Sequence, residues 1–128
     1  MAFIKYTAKG RSHAPRATIA QSGRLSFSDG TRKRYDLDSY THCVLYYDPD
    51  TRRVAVELTG DSSAEGAITL RHRPTGADVS AKSFIDYFDM GVSETTTYDV
   101  VRDPETGWLV IDLNRGRRRN PRAKSARA

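Results

Sequence analysis

The stretch RDPETGWLVIDL, residues Arg102 to Leu113, repeats the character of an earlier one, YDPDTRRVAVEL, residues Tyr47 to Leu58. Asp48-Pro49-Asp50-Thr51 stands fifty-five residues before Asp103-Pro104-Glu105-Thr106, and at the same offset Val54-Ala55-Val56-Glu57-Leu58 matches Leu109-Val110-Ile111-Asp112-Leu113. In both, Asp-Pro opens a turn because proline fixes φ at the first central position, and Gly107 suits the positive φ of a bulged hairpin loop. Beyond the turn, Val54, Val56 and Leu58 alternate with Arg53, Ala55 and Glu57, while Leu109, Ile111 and Leu113 alternate with Trp108, Val110 and Asp112. A period of two marks half-buried strands. Two β-hairpins are expected, entered by strands over Cys43 to Tyr47 and Tyr98 to Arg102.

The parallel extends upstream. Ala17 to Ala20, Gly23, then Leu25 to Phe27 reads strand, tight turn, strand; Ala67 to Arg71, Pro74-Thr75-Gly76, then Asp78-Val79 reads the same. Ser80 then suits the N-cap of a short helix in which Phe84, Ile85 and Phe88 share a face and Gly91 ends it. Ser28 and Tyr35 stand where Ser80 and Tyr87 do, with Leu37 near Met90, although Gly30 weakens this first helix by roughly 1 kcal/mol relative to alanine. Each half reads β-β-α-β-β, over 17–59 and 67–113, joined by the polar loop Gly60 to Gly66. The fold expected is mostly β and barrel-like with two short helices, an internally duplicated pseudo-dimer in which each half buries the strand faces the other leaves open. Tyr46, Tyr47, Phe84, Tyr87 and Phe88 fall on these elements and are expected in the core.

Charge divides the chain differently. Residues 1–24 hold five Lys/Arg and no acid, and residues 114–128 hold seven and no acid. Of the 21 basic and 16 acidic residues this leaves nine basic and all sixteen acidic in 25–113, a net of −7. Residues 1–16 read as a basic arm and 114–128 as a basic tail, disordered for want of apolar residues to bury. The single Cys43 excludes an internal disulfide, no Cys/His cluster has metal spacing, and no apolar run has the length of a membrane span, so a cytoplasmic protein without metal or cofactor is expected.

Ala17 to Ser28, ATIAQSGRLSFS, followed by a short helix ending near Leu37 and a hairpin, resembles an AbrB-type swapped-hairpin unit, the Gly23-Arg24 turn carrying most of the likeness. With Gly76, Ser80 to Gly91 and the final hairpin, the second half resembles it too, so the whole is similar to a tandem pair as in MraZ-type regulators or related double-psi barrels. The resemblance implies interleaved hairpins and binding of duplex DNA by basic residues near the turn and helix. In the second half, however, Arg71, Arg73 and Lys82 are accompanied by Asp78, Asp86 and Asp89.

The residues expected to contact nucleic acid are Arg24, Arg32, Lys33 and Arg34 in the first half, Arg71 and Arg73 in the second, and Arg115, Arg117, Arg118, Arg119, Arg122 and Lys124 in the tail, since phosphate contacts need Lys/Arg within reach. Trp108 alternates with the inward Leu109 and Ile111, which puts it on the outer face as an interaction surface. Two other readings share these residues: an assembly module that meets a protein partner or another copy through the acidic middle and Trp108, and a Whirly-like single-strand binder. An enzyme is not expected. His42 and Cys43 are adjacent on a strand and point to opposite faces, Asp48, Asp50, Asp103 and Glu105 are turn formers, and no phosphate loop, nucleophile elbow or zinc motif occurs.

Overall fold

Turn residues and two-residue periodicity organise most of the chain. The computed structural model, which describes residues 2–3 and 14–118, has β1 (Arg16–Ile19), β2 (Arg24–Ser28), α1 (Asp29–Arg34), β3 (His42–Asp48), β4 (Arg53–Thr59), β5 (Ile68–Thr69), β6 (Arg71–Arg73), β7 (Gly76–Ser80), α2 (Lys82–Tyr87), β8 (Thr96–Asp99), β9 (Val101–Arg102), β10 (Leu109–Asp112) and β11 (Arg117–Arg118). The fold is mostly β with two short helices and two antiparallel sheets, ordered β11-β8-β1-β2-β7-β6 and β5-β3-β4-β10-β9.

The sheets join at two corners. The strand expected over 67–71 breaks at Leu70, whose N–H donates to the Thr41 carbonyl, and the one expected over 98–102 breaks at Val100, whose N–H donates to Pro15. Both corner side chains are buried. Each bent strand thereby passes from one sheet to the other, which is how packed sheets form corners. Pairings then run in a ring: β1 to β2, β7 and β6, through Leu70 to β5, on to β3, β4, β10 and β9, and through Val100 to β8 and back to β1.

Residues 16–59 run strand, strand, helix, strand, strand, whereas 68–112 run three strands, helix, three strands, the two extra breaks being the bends at Leu70 and Val100. Four pairings join the two stretches, β1 with β8, β2 with β7, β3 with β5 and β4 with β10. Between β4 and β10, Ala55 lies opposite Val110, Val54 opposite Ile111 and Val56 opposite Leu109, so residues matched at the fifty-five-residue offset exchange places. Between β2 and β7, Ser26 lies opposite Asp78, with Leu25–Val79 and Phe27–Ala77 on either side.

Inward residues of both sheets form one core. Leu25, Val79, Val54, Val56, Leu109, Ile111 and Cys43 are fully buried, and Leu37 and Met90 close it beyond the two helices. Each large aliphatic side chain of this kind stabilises the fold by about 1.5–3 kcal/mol relative to exposure. The hairpin loops use matched backbone: Arg52 has φ 57° and its N–H donates to the Asp48 carbonyl, as Gly107, with φ 77°, donates to Asp103.

Several expectations are corrected. Ser80 belongs to β7 and does not cap α2; Ala81 occupies the cap and makes no side-chain bond there, because the strand runs directly into the helix. Ser28 does cap α1, accepting from the Thr31 N–H. Helix α2 ends at Tyr87 with Asp89 in the left-handed region, before Gly91 is reached. Tyr87 and Phe88 are exposed, Tyr87 at 81%, and not in the core, since only Ile85 and part of Phe84 face inward. The chain also stays structured past residue 113: Leu113–Arg115 makes a 3₁₀ turn and β11 pairs with β8, backbone hydrogen bonding supplying what the tail lacks in apolar residues. Residues 119–128, with Arg119, Arg122 and Lys124, lie outside the described residues, as does most of the N-terminal arm.

Gly76 permits the β2–β7 pairing, because a Cβ there would stand 2.2 Å from the Phe27 carbonyl oxygen. Gly76→Ala is expected to cost about 2–3 kcal/mol, roughly a 10 °C fall in melting temperature, while Gly60→Ala, with open space around it, leaves thermal unfolding unchanged. Equal melting temperatures for the two variants would contradict the close approach.

Candidate nucleic-acid interface

The outer face of the first sheet carries a straight row of side chains across six strands: Arg117, Thr97, Thr18, Ser26, Asp78 and Arg71, each opposite the next. The neighbouring positions are Asp99 opposite Arg16, and Ser28 opposite Gly76, itself opposite Arg73; on the other side Arg24 lies opposite Ser80. Small hydroxyl residues thus make the floor, with the Thr18 and Thr97 hydroxyls 3.0 Å apart, and arginines stand at both edges. Five strand spacings separate Arg117 from Arg71, about 24 Å. Asp78 and Asp99 are the carboxylates among these positions, against Arg16, Arg24, Arg71, Arg73 and Arg117.

Both carboxylates are already neutralised. Asp78, with a side chain 5% exposed, accepts from Arg71 Nε and Arg73 Nε, each at 2.7 Å. Burial pushes its carboxyl up, but the hydrogen bonds and charges of Arg73 and Arg71 outweigh burial and hold it below the usual range. Those arginines remain about half exposed. Asp99 accepts from Arg117 Nη2 at 2.9 Å and lies 3.7 Å from Arg16 Nε. The side chain of Arg24 makes no hydrogen bond or ion pair among the described residues, and its turn is held by Gly23. There φ is 94° and a Cβ would meet Lys82 Cβ at 2.6 Å, which brings the start of α2 against Arg24.

The Arg32-Lys33-Arg34 run divides. Arg32 is only 18% exposed and is bound to Asp29 and Asp38, so it holds α1 to the following turn. Lys33 is exposed at 3.3 Å from Asp29, and Arg34 is exposed with no side-chain partner among the described residues. Of the tail residues, Arg115 lies 3.8 Å from Asp112, and Arg117 and Arg118 form β11 on the edge of the first sheet. The acidic partner of Arg71 and Arg73 was hidden because it lies on a neighbouring strand, whereas Arg32 is paired with Asp29 three residues earlier in its own helix and with Asp38 beyond the following turn.

Comparison with protein-family models, with curated proteins and with solved structures returned no match. The geometry therefore carries the functional reading.

On the opposite side of the core, Trp108 stacks on Tyr46 with ring centroids 4.2 Å apart and an interplanar angle of 8°, and Tyr46 Oη donates to Glu57 Oε1 at 2.5 Å. Trp108 does lie on an outer face as its register implies, but half-buried by its partner. His42 and Cys43 point to opposite faces; Cys43 is fully buried, and burial pushes its thiol up to about 12. The carboxylates of Asp48 and Asp103 are lowered chiefly by the hydroxyls of Thr51 and Thr106, which is turn chemistry. Among the described residues no cluster of His, Cys, Asp and Glu could hold a metal, and no helix is long and apolar enough to cross a membrane.

Two outcomes follow. Asp78→Asn is expected to lose about 1–3 kcal/mol at neutral pH, measured by urea unfolding. Because the native carboxyl titrates below its unfolded value, its contribution is complete above about pH 3.9 and fades as pH falls through the folded pKa, so the two proteins converge in acid. Tyr46→Ala is expected to uncover Trp108, the single tryptophan, giving a red-shifted emission and about 0.5–1.5 kcal/mol of destabilisation from the lost stacking.

Proposed function

We propose that the protein is a non-enzymatic nucleic-acid-binding protein, a transcriptional regulator or DNA-associated protein of AbrB-like kind, that engages duplex DNA through the outer face of the first sheet. One observation carries the reading: a hydroxyl floor bordered at both edges by arginines, with Arg117 and Arg118 forming the edge strand β11 of the same sheet. Arginine and hydroxyl donors are the groups that contact phosphate oxygens, and a span of about 24 Å reaches both sides of a major groove about 12 Å wide. The shared order of strands, helix, strands and the exchange of register between β4 and β10 support treating the chain as an internally duplicated pair of AbrB-type units. A cytoplasmic location agrees with this reading.

Duplex is favoured over single strand by the floor itself. Single-strand binders stack successive bases on aromatic side chains, and this face presents threonine and serine. The stacked faces of Tyr46 and Trp108 lie on the other sheet and cover one another.

The test is binding of duplex DNA, single-stranded DNA and RNA at several salt concentrations by the full chain, by a chain ending at residue 118, and by each carrying Arg24→Glu with Arg117→Glu. Log affinity should fall linearly with log salt, and loss of the tail should reduce the slope by about 0.9 for each phosphate contact removed. The charge reversals should weaken binding at least tenfold with or without the tail. Absence of binding to all three at low salt sinks the reading, and reversals without effect remove the sheet face from it.

A further inference from the structure

At the Leu70 corner the chain passes from the side of β7 to the side of β3, and a pocket of about 390 Å³ opens there. β6 pairs with β7 from Arg71 opposite Asp78, and β5 pairs with β3 through Thr69 opposite His42. Continued through the corner, the β6–β7 register would set Thr69 against Ser80, but the bend has carried Thr69 to β3 instead. The space is lined by His42, Ser62, Thr69, Arg71 and Ser80, with Ala67 and Ile68 as its apolar part, and no carboxylate lines it. The hydroxyls of Ser62, Thr69 and Ser80 and Nε2 of His42 have no hydrogen-bond partner among the described residues, and Arg71 engages only its Nε, on Asp78. The carboxylates close by are already occupied. Asp78 is held by Arg71 and Arg73, and Asp61, near enough to His42 to feel its charge, accepts from the N–H and the hydroxyl of Ser63.

We infer that this pocket binds the phosphate group of a small phosphate monoester. Three hydroxyls, an imidazole and a guanidinium border one space, and the guanidinium can only donate. Charge points the same way: Arg71 and Arg73 share a single carboxylate, and Arg24, without a side-chain partner among the described residues, is the register partner of Ser80. An anion is therefore favoured over a neutral polyol. A phosphate monoester brings three strong acceptor oxygens and up to two negative charges, which complements a set of donors arriving from several strands and a loop. The volume is within the range of small-molecule sites, and Ala67 and Ile68 give the organic part of the ester an apolar wall. Arg71 also belongs to the proposed duplex face, but nothing in the pocket requires nucleic acid.

The test is titration of the nuclease-treated full chain with inorganic phosphate and, separately, with phenyl phosphate, followed by backbone amide NMR shifts against sodium chloride of equal ionic strength. Saturable shifts are expected at Ser62, Thr69, Arg71 and Ser80 with both probes, and phenyl phosphate should bind more tightly and also move Ala67 and Ile68. Thr69→Glu, which sets a carboxylate in the pocket, should abolish saturation, and His42→Gln should weaken binding about tenfold, as loss of one hydrogen bond to a charged group does. Arg53→Gln, at the far end of the β3–β4 hairpin, should change nothing. The shift map of the unmodified protein remains a readout even where a variant fails to fold. Shifts that chloride reproduces, that never saturate, or that spread over the arginines of the first sheet without reaching Ser62 and Thr69 overturn the inference. So do equal affinities for the two probes, or saturation untouched by Thr69→Glu. Neither probe is a nucleic acid, so failure here and failure of duplex binding are separate results.

Discussion

The pairing of β2 with β7 is the constraint on which the rest depends, because together with β1–β8 it makes the first and second stretches of the chain one sheet. Two of its features are costly alone and consistent together. Gly76 gives up side-chain packing so that the backbone can approach the Phe27 carbonyl, and Asp78 places a carboxylate at a position almost closed to water. Desolvation of an unpaired charge there would cost several kcal/mol. The β6 strand removes that cost by folding back alongside β7, which sets Arg71 and Arg73 on either side of the carboxylate. The same step turns the chain at Leu70 into the second sheet, so charge neutralisation and the corner of the barrel come from one short segment.

That arrangement ties structure to the proposed binding face. Arg71 and Arg73 are bound through Nε, which fixes the long side chains while leaving them about half exposed. A guanidinium held in this way has already lost much of its rotamer freedom, so a phosphate contact would add less ordering cost than one made by a free side chain. Arg24 works differently. It has no carboxylate to release, and its position is determined by the Gly23 turn against Lys82. The face therefore combines arginines oriented by ion pairs at one edge with an unpaired one at the end of the turn.

Much of this was legible locally and little of it at long range. Hairpin turns, strand alternation, the positive φ at Gly107 and the capping by Ser28 depend on residues within a few positions, and they stand as read. The fold class follows from their order. Ser80 was misread because a serine before an apolar helix resembles a cap whether or not a strand claims it first. Arg71 and Arg73 looked like free charges because their partner is set by strand register, which the local pattern does not display; the Asp29 partner of Arg32 lay in view three residues earlier on the same helix. The Tyr46–Trp108 stack spans residues 62 positions apart and needs the β3–β4–β10 order before it can be seen. The pairing of β11 was hidden by the composition of the tail, where backbone bonding to β8 requires no apolar side chain.

The acidic balance of residues 25–113 and an arginine-rich face on the first sheet are compatible because many of the carboxylates lie across the core from it. Asp48, Asp50, Asp103 and Glu105 sit in the two hairpin turns that end the second sheet, where hydroxyl and backbone donors hold Asp48 and Asp103 ionised. The first sheet lies across the core, roughly 10 Å away, and at physiological ionic strength a Debye length of about 8 Å screens much of what those turns project around the surface. Local composition, five arginines against two neutralised aspartates, then governs the potential met by an approaching polyanion. A net charge summed over the domain misses this, since it counts with equal weight the carboxylates that shape turns on one side and the guanidinium groups that remain available on the other.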